Sequence, residues 1–307
     1  MFGNFGKINW RSGLVAFLVV ANALVWSAIW STGRRELTVA FLNVGQGDAI
    51  LIEAPNGNQV LLDGGPARAA LAPLGRRLPF YDRTLDLIIA SHPDADHIGG
   101  LPEVLKRYRV RGFLEPGVES ETAVYQELRR LVAEQNLPRL LARHGQRIIL
   151  DDWGTAETAD DVVLTILFPD QDVTDWETNE ASIIARLTYG QSSFLFTGDA
   201  PVKTEQLVLN RNGAAALASE VLKVGHHGAK TSTGESFLRA VAPRFAIISA
   251  GKNNRYGHPA PLTLGLLERA GVEILRTDVP AAPPVDGAAG DDGTIVFRSD
   301  GQTTTRD

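Results

Sequence analysis

Cysteine is absent from the 307 residues, and methionine occurs once. The missing cysteine excludes disulfides and thiolate metal ligands and leaves the redox compartment undecided. Positive charge is also short. The formal net charge is −6, which excludes a strong overall field for DNA or RNA. Aromatic residues are 7% of the chain, and they form no evident stacking row. No internal repeat is visible. What remains, 44% apolar and 21% charged, is a globular composition with enough chain for a large core. One domain of about 250–270 residues is the natural size for a layered α/β fold.

The N-terminus departs from that composition. A short segment, 1–11, precedes the stretch 12–33, whose 22 residues carry no formal charge. As a helix they would extend about 33 Å, close to the roughly 30 Å hydrocarbon core of a bilayer. Trp26 and Trp30 lie near its far end, where aromatic rings favour the interface. A secretory signal and a buried soluble helix are the alternatives. The length of the run, and the lack of an Ala-x-Ala site before Arg34, favour one transmembrane anchor. Lys7 and Arg11 on one side balance Arg34 and Arg35 on the other, so flanking charge sets no orientation.

The chemistry concentrates in Ser91-His92-Pro93-Asp94-Ala95-Asp96-His97-Ile98-Gly99-Gly100, just after the strand-like run Leu85-Asp86-Leu87-Ile88-Ile89-Ala90. A turn at a strand end can aim two imidazoles and two carboxylates at one point, as a dinuclear metal site requires. A polar loop whose aspartates cap the next helix is the bland alternative, and it accounts for Asp96 alone. Elsewhere the pattern repeats. A hairpin at Pro55–Asn58 returns through Gln59–Leu62 to Asp63-Gly64-Gly65, and residues 66–84 read as an arginine-bearing loop. Amphipathic spacing marks a helix over Ala123–Gln135, and Lys106–Arg111 is a small basic run, either a solvated helix end or a phosphate-facing rim. Strands over Ser193–Thr197, Glu220–Val224 and Phe245–Ser249 deliver Asp199, His226-His227 and, further on, His258. Five of the six histidines fall in such strand-end clusters, and His144 alone does not. Pro280–Asp292 reads as a flexible surface loop and 301–307 as a flexible tail.

These motifs carry a resemblance. His92-x-Asp94-x-Asp96-His97 resembles the metal-binding signature of the metallo-β-lactamase fold, in the variant with Asp at the usual second His. Asn43-Val44-Gly45-Gln46-Gly47-Asp48, Leu62-Asp63-Gly64-Gly65, Phe196-Thr197-Gly198-Asp199, His226-His227-Gly228 and Tyr256-Gly257-His258-Pro259 follow in the order of the ComEC-like branch, the hydrolase domain of competence proteins. The resemblance covers nearly everything after residue 36 and implies an α/β architecture. That is an αββα sandwich over 36–300, with the site along one sheet edge, preceded here by the N-terminal transmembrane helix. It implies two divalent ions, zinc or manganese. His92 and Asp94 would hold the first, Asp96, His97 and one of His226 and His227, taken here as His227, the second, and Asp199 would bridge them. The family has a further His on the first metal where this sequence has Asn179, which as a metal residue weakens the site for zinc and leaves room for the harder Mn²⁺. Asp63 would orient ligands, and His226, His258 and Lys230 would face the substrate phosphate or leaving group. Lys230 reads equally as an ordinary surface lysine. Only one apolar segment is present, not the multi-helix channel of full competence proteins, so DNA import by this chain alone is not expected.

The resemblance implies hydrolysis of a phosphodiester, because paired divalent ions activate a water and clamp the charge of an in-line displacement. Single-stranded DNA is the first expected substrate, with Arg76, Arg77, Arg83 and Lys106–Arg111 as candidate phosphate contacts. A small surface phosphodiester such as a phosphorylcholine ester is the second. A catalytically silent anchored binding module is the third. Partners from DNA uptake and an extracytoplasmic placement at the cell membrane follow from the family alone. Oligomeric state is open.

Overall fold

The computed structural model describes residues 10–31, 36–151, 161–279 and 293–307. It divides into two units, Met1–Arg35 and Glu36–Asp307. The first contains one helix, Trp10–Ser31, whose Leu14, Val15, Phe17, Leu18, Val19, Val20 and Leu24 side chains are exposed. Among the described residues no helix is long and apolar enough to cross a membrane. The structure therefore gives a helix where the sequence suggests one, without the span. Residues 32–33 and most of 1–11 lie outside the described residues.

The second unit is built on two large sheets. The first runs, in spatial order, through Thr304–Arg306, Ile295–Ser299, Leu37–Phe41, Ile50–Glu53, Gln59–Leu62, Leu87–Ile89, Phe113–Glu115 and Arg139–Leu141. The second runs through Glu273–Arg276, Phe245–Ile248, Val221–Lys223, Ser192–Phe196, Ile184–Tyr189, Val163–Phe168 and Arg147–Ile149. Strict alternation explains how they stack. Val39, Phe41, Ile50, Ile52, Leu87 and Ile89 meet Leu164, Ile166, Phe194, Phe196 and Ile247 in one cluster between the sheets. Ala40, Leu51, Leu61 and Ile88, on the opposite face, pack under the helices Leu71–Arg77, Leu101–Leu105 and Ala123–Glu134. Leu195, Leu222, Ala246 and Ile248 do the same under Val202–Asn212, Glu235–Val241 and Pro261–Arg269. The result is the four-layered αββα sandwich expected from the resemblance. All three apolar clusters lie inside Glu36–Asp307, so this unit has a complete core of its own.

Strand direction positions the site. Gln59–Leu62, Leu87–Ile89, Phe113–Glu115 and Arg139–Leu141 are mutually parallel, as are Ser192–Phe196, Val221–Lys223, Phe245–Ile248 and Glu273–Arg276. Their carboxyl ends release the polar loops, which is where open α/β sheets bind ligands.

Two expectations are corrected. Residues 66–84 are not a plain loop. Leu71–Arg77 is helical because Leu74 and Leu78, one turn apart, are buried against the first sheet, although Pro73 and Gly75 hide the period. Residues 301–307 are not a free tail either. Thr304–Arg306 pairs with Ile295–Ser299, held by Thr304 Oγ1 donating to Ser192 Oγ at 2.8 Å and by the 2.6 Å contact between the Ser192 and Ser299 hydroxyls. The loop expected over Pro280–Asp292 lies outside the described residues.

Phe297 joins the sheets, with its ring 6.1, 6.0 and 5.2 Å from those of Phe41, Phe194 and Phe245. Phe297→Ala should lower unfolding stability by about 3–5 kcal/mol in a urea titration. A loss below about 1 kcal/mol would show that the inter-sheet core tolerates the cavity.

Candidate metal centre

The centre forms where loops from the two sheets converge. His92 and His97 come from the turn and the short helix Ala95–Ile98 after Leu87–Ile89, and both are fully buried. The Asn43–Asp48 loop lies on that turn. Gly47 is required there, since a Cβ would sit 2.1 Å from the Asp96 carbonyl oxygen. The Asp48 amide donates to the same carbonyl at 3.2 Å. Asp199 follows Ser192–Phe196, and its amide donates to Ser182 Oγ at 3.2 Å. His226 and His227 sit in the tight turn after Val221–Lys223, with φ of 50° and 55°. Left-handed backbone at two successive non-glycine residues is strained, and such strain gathers at functional sites.

Asp48, His97, Asp199 and His227 are all buried, and each offers one ligand-type atom within 4.8 Å of the others. His227 Nε2 lies 3.2 Å from Asp96 Oδ2 and 3.5 Å from Asp199 Oδ2. His97 Nε2 is 3.2 Å from Asp199 Oδ1, yet neither atom has a hydrogen bond. His92 stands beside this group, its ring 4.1 Å from that of His97 and its Nε2 3.8 Å from Asp94 Oδ2. That His92 nitrogen is also buried without a hydrogen bond. Asp94 and Asp96 are partly exposed at the mouth.

Asp63 orders this arrangement from below. Its Oδ1 accepts the Ser91 amide at 2.8 Å, and its Oδ2 accepts the Ser91 hydroxyl at 2.6 Å and His97 Nδ1 at 2.9 Å. A proton held at His97 Nδ1 leaves the Nε2 lone pair directed into the cluster. The Ser249 carbonyl does the same for His227, accepting from Nδ1 at 2.9 Å.

Electrostatics point the same way. Burial opposes charging of His97, but Asp199 and Asp63 overcome it and hold its pKa well above the ordinary value. His227 is also disfavoured as a cation by burial, yet Asp199, Asp48 and Asp96 push it up to about 9. Burial would raise Asp199, and His227, His97 and His92 instead hold it well below the carboxylate range. His92 goes down, through burial and the neighbouring His97. Carboxylates thus recruit protons onto buried imidazoles, beside the buried Lys223 ammonium on Asp48. Orphaned imidazole nitrogens facing carboxylate oxygens, with no thiolate, are a donor set that fits a divalent cation.

The other expected residues separate. His226 is at the rim, 29% exposed, with Nε2 3.6 Å from Asp199 Oδ2. His258 is half-buried, its ring 5.5 Å from that of His226 and stacked on exposed Tyr256 at 5.8 Å and 24°. Asn179 presents a buried Oδ1 without a hydrogen bond, in the loop that leads to Ser182. Lys230 is exposed and pairs with none of these groups among the described residues. Two residues escaped the sequence reading. Asp48 was visible only as part of a glycine-rich loop. Lys223, fully buried with Nζ 2.8 Å from Asp48 Oδ2, left one signal, a lysine inside an apolar strand. The arginines expected at the substrate are elsewhere. Arg83, Arg109 and Arg111 flank the amino ends of the parallel strands, and Lys106 and Arg107 pair with Glu103 and Glu127.

Residues 42–252 match the Metallo-beta-lactamase superfamily, and the chain belongs to that family. Its relatives include ComE operon protein 3 of Bacillus subtilis, 34% identical over 87% of this chain and 34% of that protein. Recombination protein 2 of Haemophilus influenzae is 35% identical over 78% of this chain and 27% of that protein. Competence protein ComA of Neisseria gonorrhoeae is 30% identical over 81% and 32%. These are ComEC-family competence proteins, and the chain spans about a third of their length. Among solved structures, the metallo hydrolase Igni18 of Ignicoccus hospitalis shares the fold at a TM-score of 0.52, with 16% identity over 85% of this chain and 98% of that one.

Asp63→Asn keeps the shape of the side chain and disturbs the acceptor of His97 Nδ1–H. It should weaken Mn²⁺ or Zn²⁺ binding by roughly 10–100-fold in isothermal titration. Unchanged affinity would remove Asp63 from the support of the centre. A second prediction concerns Glu205, which accepts the Thr233 and Gly234 amides at 2.6 and 2.8 Å and fixes the segment after the histidine turn. Burial lifts its pKa from 4.5 to about 7, against those two donors. The folded state therefore keeps the proton longer than the unfolded state, and this contribution is lost as pH rises from 4.5 to 7. Urea titrations at the two ends of that window should show wild type losing up to about 3 kcal/mol relative to Glu205→Gln. Parallel pH profiles would contradict it.

Proposed function

We propose that the chain is a membrane-anchored, metal-dependent phosphodiesterase acting on single-stranded DNA. The observation that carries this reading is the convergence of His92, His97 and His227 with Asp48, Asp94, Asp96 and Asp199 at one set of strand ends. In this reading, as the family resemblance implies, His92 and Asp94 would hold one ion, His97, His227 and Asp96 the other, with Asp199 between them. Two divalent ions held there supply an activated water and stabilise the charge of in-line displacement at phosphorus. Asp63 keeps the His97 proton on Nδ1, and the Ser249 carbonyl keeps that of His227 on Nδ1. His226 and His258, at the rim, hold and move the proton that the leaving oxygen needs. Lys223 neutralises Asp48 from inside the fold.

The names of the competence relatives support DNA as the substrate. Tyr256, exposed beside His258, offers a ring on which an unpaired base can stack. The uncharged stretch 12–33 and the exposed apolar side chains of Trp10–Ser31 support an anchor, with the hydrolase unit outside the cytoplasm as in the family it resembles. One observation favours a small phosphodiester instead: the arginines expected to follow a DNA backbone stand away from the centre.

Metal-supplemented protein should cleave single-stranded DNA, and Asp199→Ala should lower the rate by more than roughly a hundredfold with its circular dichroism unchanged. Full activity in a folded Asp199→Ala variant would exclude this mechanism. Turnover confined to a chromogenic diester would select the small substrate, and silence on both with metal bound would select the binding module.

A further inference from the structure

The end of the hydrolase unit opposite the metal centre carries an unexplained surface. Asp63, His92 and Glu115 follow the carboxyl ends of Gln59–Leu62 and Leu87–Ile89 or close Phe113–Glu115. The amino ends of the same parallel strands lie roughly 13 Å away, at about 3.3 Å per residue. There Gln59 donates through its amide to Asp86 Oδ2 at 2.7 Å and through Nε2 to Asp82 Oδ2 at 3.1 Å. Asp82 closes the loop that displays Phe80 and Tyr81. These side chains are 86% and 76% exposed, their rings 5.3 Å apart and nearly perpendicular. Among the described residues of Glu36–Asp307, no other large apolar side chain is as much as 70% exposed.

The charge around this pair is one-sided. Arg76 and Arg77 close the preceding helix, and Arg83 follows the loop. Arg109 joins them because its amide donates to the Arg83 carbonyl at 2.7 Å. Of the acids at this end, Asp82 turns onto Gln59 and the Thr84 amide, Asp86 onto Gln59 and Arg111, and Glu36 and Glu53 interact with Arg298. In a chain of net charge −6 this places four arginines in the segments that border the aromatic tip, the Arg83 guanidinium lying 5.7 Å from the centre of the Tyr108 ring.

Register shows what else reaches this end. Thr38 pairs with Glu53 and Glu53 with Gln59, so Leu37–Phe41 begins here. Glu36, which precedes that strand, therefore lies at the end that carries Phe80 and Tyr81.

We propose that the Phe80–Tyr81 loop and its arginines form a docking surface for an anionic lipid bilayer. The two rings enter the interfacial zone, where aromatic side chains are favoured, and the guanidinium groups meet lipid phosphates. Docking in this way turns the metal centre toward the aqueous phase. The surface does not depend on the N-terminal helix or on the identity of the substrate.

The test uses the Glu36–Asp307 unit, which holds all three apolar clusters, so binding reports on this surface alone. It should sediment with phosphatidylcholine vesicles that contain phosphatidylserine and much less with phosphatidylcholine alone. Removing each ring in Phe80→Ser/Tyr81→Ser should weaken binding roughly tenfold or more. Arg83→Glu should weaken it at least fivefold, by the approximate worth of one cation at an anionic surface. All three side chains are exposed, so circular dichroism of the variants should match wild type. Equal sedimentation of wild type and the double serine variant, or no preference for phosphatidylserine, would overturn the proposal. So would a double variant that loses single-stranded oligonucleotide binding and keeps its vesicles, since the surface would then be a nucleic-acid face.

Discussion

Several carboxylates and three imidazoles share a few ångströms of buried space, and that crowding is the constraint on which the rest depends. Like charges at such range in a low-dielectric interior repel strongly unless positive charge is interleaved. The protein interleaves it partly with its own groups. Lys223 is buried against Asp48, and His97 and His227 are driven toward their charged forms by the aspartates around them. Imidazole nitrogens left without hydrogen bonds, opposed to carboxylate oxygens, describe a place where a divalent cation replaces those protons.

The sandwich makes such a cluster tolerable by holding it rigidly. Each donor sits within eight residues of a strand end, and the strands are fixed from both faces by apolar packing. Asp63 and Ser91 then tie the histidine turn to the first sheet, while Ser182 and Ser249 tie Asp199 and His227 to the second. The centre is thus suspended between two sheets that pack as a unit. Strain at His226 and His227 persists because both flanks are overdetermined.

Much of this was legible in the sequence because it is local. Alternation in Leu37–Phe41 or Ile50–Glu53 announces a two-faced strand, and four ligand-type residues in six announce a metal loop. Long-range relations were harder to see. Asp48 and Lys223 are 175 residues apart in numbering, and although a lysine in an apolar strand is unusual, neither declares its partner until the sheets bring them to 2.8 Å. The helix Leu71–Arg77 was masked by Pro73 and Gly75, and Thr304–Arg306 by its polar side chains, because tertiary packing rather than propensity decides both. The arginines misled for a related reason. Sequence shows that they exist, and only strand direction shows which end of the sheet they occupy.

The central claim is that the converged histidines and aspartates are a metal centre. Metal content of the purified protein, after incubation with Mn²⁺ or Zn²⁺ and exhaustive dialysis, tests it without reference to any substrate. The account predicts two retained ions per chain in elemental analysis, and a lower number when Asp199 is replaced by alanine. A folded wild-type protein that retains none would contradict it.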